Sequence, residues 1–273
     1  MVHHSFFTKR CYYALRQAVL ITPFITFLVS PSTTPLFAET DKNALASESN
    51  RWHSLLDERA AELADQTPIR QTPIRGKQPL GKWELADQEE FAEHGKVYVD
   101  QGILTLEQGY PATGVRLQGP FPKSNYEIQL EAKRTDGGDF FCGLTFPVGE
   151  GSLTLILGGW GGWAVGMSCI DGDYAIDNET LTVVQFQQDR WYSVRMCVTD
   201  QLIEVWIDKK RVIQLETEGK ELLISDRMDP CLPLGLATWH TTGAIRNIRY
   251  RILEKKSLRS KASAQRRGDD MYQ

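Results

Sequence analysis

Two indoles set among four glycines, residues 158–163 (GGWGGW), are the first feature of this 273-residue chain that could do chemistry. Glycines let a backbone come close to a ligand, and exposed indoles offer flat apolar faces. Trp160 and Trp163, with Trp239 further on, could stack against the C–H face of a sugar ring. The same indoles could instead fill a core or a bend while the glycines serve tight turns. Next comes an acidic run with Asp171, Asp173, Asp177 and Glu179, which could supply an acid/base pair for glycoside chemistry, ligate Ca²⁺, or form an ordinary solvated loop. Its spacing is not that of an EF-hand, so no cofactor is expected beyond a Ca²⁺ option and no metal ligand is assigned. Asn178 begins a glycosylation sequon in the same run.

Asp136 and Asp139 bracket two glycines, a pattern suited to a hairpin tip and to hydroxyl recognition. His240, in residues 238–242 (TWHTT), ends a strand-like run and is a candidate general base. Glu127 and Glu131 share a strand face, but Gln129 separates them, so the Glu-x-Asp-x-x-Glu run of lectin-like glucanases is absent. GxSxG and dinucleotide glycine patterns are absent as well.

These residues need positioning elements, and the pattern between 82 and 253 is period two. Residues 125–134 (NYEIQLEAKR) put Tyr126, Ile128, Leu130 and Ala132 on one face and charged or amide side chains on the other. Residues 190–199, 202–208, 212–217 and 246–253 repeat it. Shorter candidates are 97–100, 103–107, 114–117, 140–146, 153–157, 164–170, 183–186 and 234–239. Many short strands between Gly, Pro, Asp and Asn turns, with no helices among them, predict an all-β fold: a two-sheet antiparallel jelly-roll sandwich.

The organisation before and after that domain differs. Lys9, Arg10 and Arg16 precede an apolar stretch, residues 17–30, which ends before a small residue at Ala38. That order reads as a signal peptide over 1–38 and predicts an exported protein, periplasmic or extracellular, with no stable membrane span after cleavage. Residues 39–80 read as a linker, with helical apolar spacing at Trp52, Leu55, Leu56, Ala60 and Leu63, then the repeated QTPIR of 66–70 and 71–75. Residues 81–253 form the sandwich domain, and residues 254–273 a basic tail expected to be disordered. A formal net charge of -4 argues against a general nucleic-acid binder. Of the four cysteines that follow the signal, Cys142, Cys169 and Cys197 lie at apolar-face positions of strand-like runs, so Cys142, Cys169, Cys197 and Cys231 are expected as buried thiols rather than a disulfide framework.

In order along the chain, residues 138–147 (GDFFCGLTFP), 157–162 (LGGWGG), 189–192 (DRWY), 203–208 (IEVWID) and 243–249 (GAIRNIR) resemble exported bacterial domains of the 3-keto-disaccharide hydrolase family. The resemblance spans roughly 81–253. It implies a concanavalin A-like, laminin-G-like jelly roll, a carbohydrate partner, and cleavage of a glycosidic bond next to a 3-keto sugar. Members commonly carry Asn-Ser-Gly on a middle strand, where this chain has Phe141, Cys142 and Gly143. The other expectation is a non-catalytic glycan-binding or protein-interaction module on the same fold.

Overall fold

The computed structural model describes residues 50–56 and 82–254. In chain order the strands are β1 (His53–Ser54), β2 (Trp83–Ala86), β3 (Val97–Asp100), β4 (Ile103–Leu106) and β5 (Ala112–Leu117). There follow β6 (Tyr126–Gly137), β7 (Cys142–Val148), β8 (Gly151–Gly158), β9 (Ala164–Ser168) and β10 (Thr182–Val183). Last come β11 (Tyr192–Val198), β12 (Leu202–Ile207), β13 (Lys210–Glu216), β14 (Gly235–Trp239) and β15 (Thr241–Ile252). They form two antiparallel sheets. The first runs β13-β12-β11-β6-β15-β4-β3, with β1 also on β15, and the second runs β10-β9-β8-β7-β14-β5-β2. This is the all-β sandwich expected from the period-two pattern.

The sheets meet through the alternating faces that the sequence marks. Tyr126, Ile128, Leu130 and Ala132 of β6 point into a core shared with Leu144, Phe146, Leu153 and Leu155 of the second sheet. Two of the polar aromatic side chains carried into that core find partners. The Tyr126 hydroxyl donates to the Pro147 carbonyl at 2.6 Å, and the Trp83 indole N–H donates to the Leu55 carbonyl at 2.8 Å. The cysteines expected as thiols are buried without disulfides, and burial pushes Cys142 and Cys231 up to about 12, well above neutral pH.

Residues 50–56 differ from the helix expected there. His53 and Ser54 pair with Tyr250 and Arg249 of β15, and the Leu55 N–H donates to the Ile248 carbonyl at 2.8 Å. Leu55 and Leu56 enter the main core. The reason is an open edge. β4 covers only Gly243 to Arg246 of β15, so the rest of that strand offers unpaired backbone groups. A short amphipathic helix with no packing partner would gain less than this strand does. The rest of the expected helix, the proline repeat, the signal segment and the basic tail lie outside the described residues.

The outer face of the first sheet is an ion-pair ladder across its three central strands. Glu127 of β6 is only 1% exposed. It accepts from Arg195 of β11 and from Arg251 of β15, both at 2.7 Å, and from Gln129 at 2.9 Å. One step along, Glu131 accepts from Arg246 at 2.7 Å and Asn247 at 2.8 Å. The guanidinium groups also lie over indoles: Arg195 on Trp206 and Arg246 on Trp191, each at 4.1 Å, and Arg249 and Arg251 on Trp52 at 4.7 Å. Burial alone would raise the Glu127 carboxyl, but the arginine hydrogen bonds outweigh it and hold the group below the usual glutamate range.

The sign of the pH effect follows. A depressed folded-state pKa adds stability above the unfolded value, and that stability is lost as pH falls through the folded value. Glu127→Ala is expected to cost about 2 kcal/mol at pH 7, leaving two part-buried arginines unpaired. Thermal unfolding should register this as a Tm drop of roughly 4–8 °C. The gap between the two proteins should narrow on acidification below about pH 4.

Candidate functional site

The outer face of the second sheet is floored by small side chains. Ala86, Ala112 and Ala237 belong to a satellite apolar cluster on that face, apart from the main core. Because the floor is low, chain segments lie directly on it. A Cβ on Gly114 would come within 2.6 Å of the Phe91 ring from the short 3₁₀ turn Glu89–Phe91, and one on Gly166 would meet Ala175 at 2.9 Å. A second 3₁₀ segment, Asp226–Cys231, places Met228 and Cys231 in the same cluster.

Between these segments the face is left open as a shallow cleft of about 190 Å³. Thr154 and Ile156 of β8 and Ser168 of β9 form its floor. The β6–β7 loop brings Asp139 and Phe140, the β8–β9 turn brings Trp160, and β14 ends in Trp239. Tyr174 enters from the β9–β10 loop, and Arg227 from the second 3₁₀ segment. Arg227 lies 5.7 Å over the Trp239 ring, and the Phe140 ring packs on the same indole at 6.1 Å.

Asp139 is the carboxylate among the lining residues. Its Oδ1 accepts the Phe140 N–H at 2.7 Å, and its Oδ2 accepts the Gly161 N–H at 3.4 Å. Burial pushes the Asp139 carboxyl above the usual aspartate range, against those backbone N–H groups and the nearby His240, which pull the other way. A carboxyl raised by burial in a cleft is a candidate for moving a proton.

The glycine-rich turn is built around a buried arginine. Trp160 (φ 52°), Gly158 (81°), Gly161 (85°) and Gly162 (99°) all take left-handed backbone, which coils the chain tightly. Arg134, at the end of β6, donates to the Gly162 carbonyl at 2.9 Å and lies 5.3 Å over the Phe141 ring. Its Nε is buried with no hydrogen-bond partner. The glycines therefore make room for Arg134 as well as for the turn, and the turn in turn aims N–H groups at Asp139.

The sequence-predicted residues divide. Asp139, Trp160 and Trp239 come together in the cleft. Trp163 does not line it; its N–H and C=O are taken by Gly159 and Val184. Asp136 is exposed on the rim, paired with Thr242. His240 is exposed beside Trp239, at a ring separation of 6.0 Å. The acidic run lies off the cleft. Lys220 bridges Asp171 and Glu179, and Asp171 accepts the Glu221 N–H at 2.8 Å. Asp173 and Asp177 are exposed. Asn178 organises that loop by donating to the carbonyls of Met167, Asp173 and Tyr174. Among the described residues no group of three or more His, Cys, Asp or Glu side chains is placed to hold a metal ion. Tyr174 and Arg227 escape a sequence reading because each sits in a loop with no pattern to mark its direction.

No family model matches the chain, and no curated protein does. Among solved structures the chain is similar to a protein from Parabacteroides distasonis ATCC 8503 provisionally described as a glycosyl hydrolase, at 11% identity, covering 80% of this chain and 99% of that one, with a TM-score of 0.43. It is similar to an endo-acting O-glycanase of the human gut microbiota, at 14% identity, 66% and 96% coverage, and a TM-score of 0.45. It is also similar to the carbohydrate-binding module CBM66 from Bacillus subtilis, at 12% identity, 62% and 95% coverage, and a TM-score of 0.36.

The turn provides a direct test. A Cβ on Gly158 would sit 2.6 Å from Arg134 Nη2 on backbone that already has φ +81°. Gly158→Ala is expected to cost about 1–3 kcal/mol and to shift the Trp160 environment, read by thermal unfolding and by near-UV circular dichroism. Gly149→Ala, where φ is +56° but a Cβ meets nothing within 4 Å, should leave the near-UV spectrum as it is.

Proposed function

We propose that the cleft binds a carbohydrate, and that Asp139 moves the proton in cleavage of a glycosidic bond next to a 3-keto group. The observation that carries this reading is a single carboxyl of raised pKa in a cleft that two indoles also line. Trp160 and Trp239 supply apolar faces for a sugar ring, while Arg227, Tyr174, Thr154 and Ser168 supply polar atoms for hydroxyls. The signal-like N-terminus and acidic net charge support action after export.

The carboxylate count bears on the type of reaction. Direct hydrolysis of a glycoside needs two carboxyl groups, about 5–5.5 or 6.5–9.5 Å apart. The lining of this cleft has one. A ketone at C3 changes the requirement, because it acidifies the C–H at C2. One base can take that proton, the electrons move onto the ketone oxygen, and the C1 leaving oxygen departs with a proton. Water then adds across the C1–C2 double bond, and the net result is hydrolysis. Asp139 is the group for the proton, and Arg227 brings positive charge to the same cleft for the developing oxyanion.

The test uses the purified protein with 3-keto-trehalose and trehalose, followed by chromatography. Release is expected from the keto sugar alone. Asp139→Asn should lower the rate at least about 100-fold. It should also hold or raise Tm at pH 7. With a raised folded-state pKa, the carboxyl is neutral in folded and unfolded chains at low pH. As pH rises the unfolded chain ionises first, so the native Asp139 weakens the fold through that window. No release from either sugar, with retention on a glycan panel that is lost in Trp160→Ala, would favour the non-catalytic binding module. No release and no retention would overturn both readings.

A further inference from the structure

We propose that the cleft continues past Trp239 onto an outer subsite, with Tyr110 as its platform, that holds a second sugar ring of the same ligand. The proposal rests on the carbohydrate reading of the cleft and adds where the chain of sugars runs. Tyr110 is 72% exposed, the most exposed large apolar side chain among the described residues. A single exposed ring is ordinary on a protein surface, and what marks this one is its ring contact with His240, which in turn meets Trp239 at the cleft.

Tyr110 is held in place rather than left to swing. Its N–H donates to the Glu93 carbonyl at 2.9 Å, and the carbonyl of the next residue, Pro111, accepts the His240 N–H at 2.8 Å. The Tyr110 ring meets the His240 ring edge-on at 5.6 Å, and His240 meets Trp239 edge-on at 6.0 Å. The three rings form a row that starts inside the cleft and ends on open surface. His240 stands in left-handed backbone, φ 44°, which turns its ring into this row.

Polar groups for hydroxyls lie at the same rim. The exposed Gln108 is two residues before Tyr110, and its N–H donates to Thr242 Oγ1 at 3.0 Å. Thr242 is the register partner of exposed Asp136. The exposed Gln108 and Asp136, both connected through Thr242, add an amide and a carboxylate to this part of the surface, the polar groups that sugar hydroxyls take beside an aromatic platform. The outer subsite accordingly selects for ligands of two or more units, and His240 acts there as a spacer between platforms.

The full chain is passed over a glycan panel containing mono- to hexasaccharides, and the best binder and its shorter fragments are then titrated calorimetrically. Affinity is expected to rise from the monosaccharide to the longer fragments. Tyr110→Ala should remove about tenfold of that gain and leave monosaccharide affinity and Tm unchanged, while Tyr110→Phe keeps the gain. Equal loss at every length, or no loss at any, would overturn the outer subsite. In the second case a loss in Trp239→Ala would keep the cleft reading intact. A wild-type chain that retains no glycan would overturn the cleft reading and the subsite together.

Discussion

Strand β6 is fastened to both of its neighbours by one buried carboxylate, and the site begins where that strand ends. Glu127 reaches Arg195 of β11 and Arg251 of β15 from the face opposite the core. Its neighbours in register repeat the arrangement, with Glu131 on Arg246 and Gln129 on Arg249. Side-chain pairs of this kind resist slippage, because a one-residue shift would carry the glutamates into the core and the apolar residues into water. Seven residues on from Glu127, the same strand delivers Arg134 beneath the glycine-rich turn, and the loop after it delivers Asp139. The ladder on one sheet thus sets the registration of groups that act on the outer face of the other.

The second constraint is the low floor of the second sheet. An ordinary strand face would carry large side chains and leave no depth. Here Ala237, Gly143, Gly114 and Gly166 keep the sheet surface bare, and the added segments build walls on it. The walls come from separate parts of the chain: a hairpin loop, a turn, a long β9–β10 loop and a 3₁₀ segment. Loops carried on a rigid sheet in this way are where binding groups are usually found. The acidic 171–179 run belongs to this scaffolding. Two of its charges, Asp171 and Glu179, are tied to Lys220, its backbone is tied to Asn178, and its contribution to the cleft is Tyr174.

Strand positions were legible in the sequence because burial on one face imposes strict alternation. Residues 125–134 predicted β6 to within three residues at its far end, and the two apolar faces met as expected. Two short elements, β1 and β2, were not legible. β1 and β2 are only two and four residues long, and their pairing depends on an edge left open by other strands. Trp52, Leu55 and Leu56 satisfy a helical spacing just as well, so only the partner decides. Of the candidate site, Asp139, Trp160 and Trp239 were visible as residue types in glycine-rich or strand-end settings. Their convergence was not, because it depends on three loops folding onto one sheet. The 171–179 carboxylates show the converse: charge density in sequence marks exposure and loop ties more readily than chemistry.

Backbone cost gives an independent reason to see the cleft as functional. Trp160 in the cleft and His240 next to Trp239 both have left-handed φ values, 52° and 44°. That conformation costs a non-glycine residue of order 1–2 kcal/mol, and glycine would occupy it with little strain. Glycine is already used on both sides of Trp160, so the turn itself does not require a side chain there. Asp139 adds a further cost, since burial disfavours its charged form and only backbone N–H groups offset this. Strained aromatics and a carboxyl held above its ordinary range work against stability at the same place. None of the three is needed to close the sandwich, whose core is complete without them. What Trp160 and Asp139 have in common is that each lines the cleft, where one presents a flat face and the other a carboxyl.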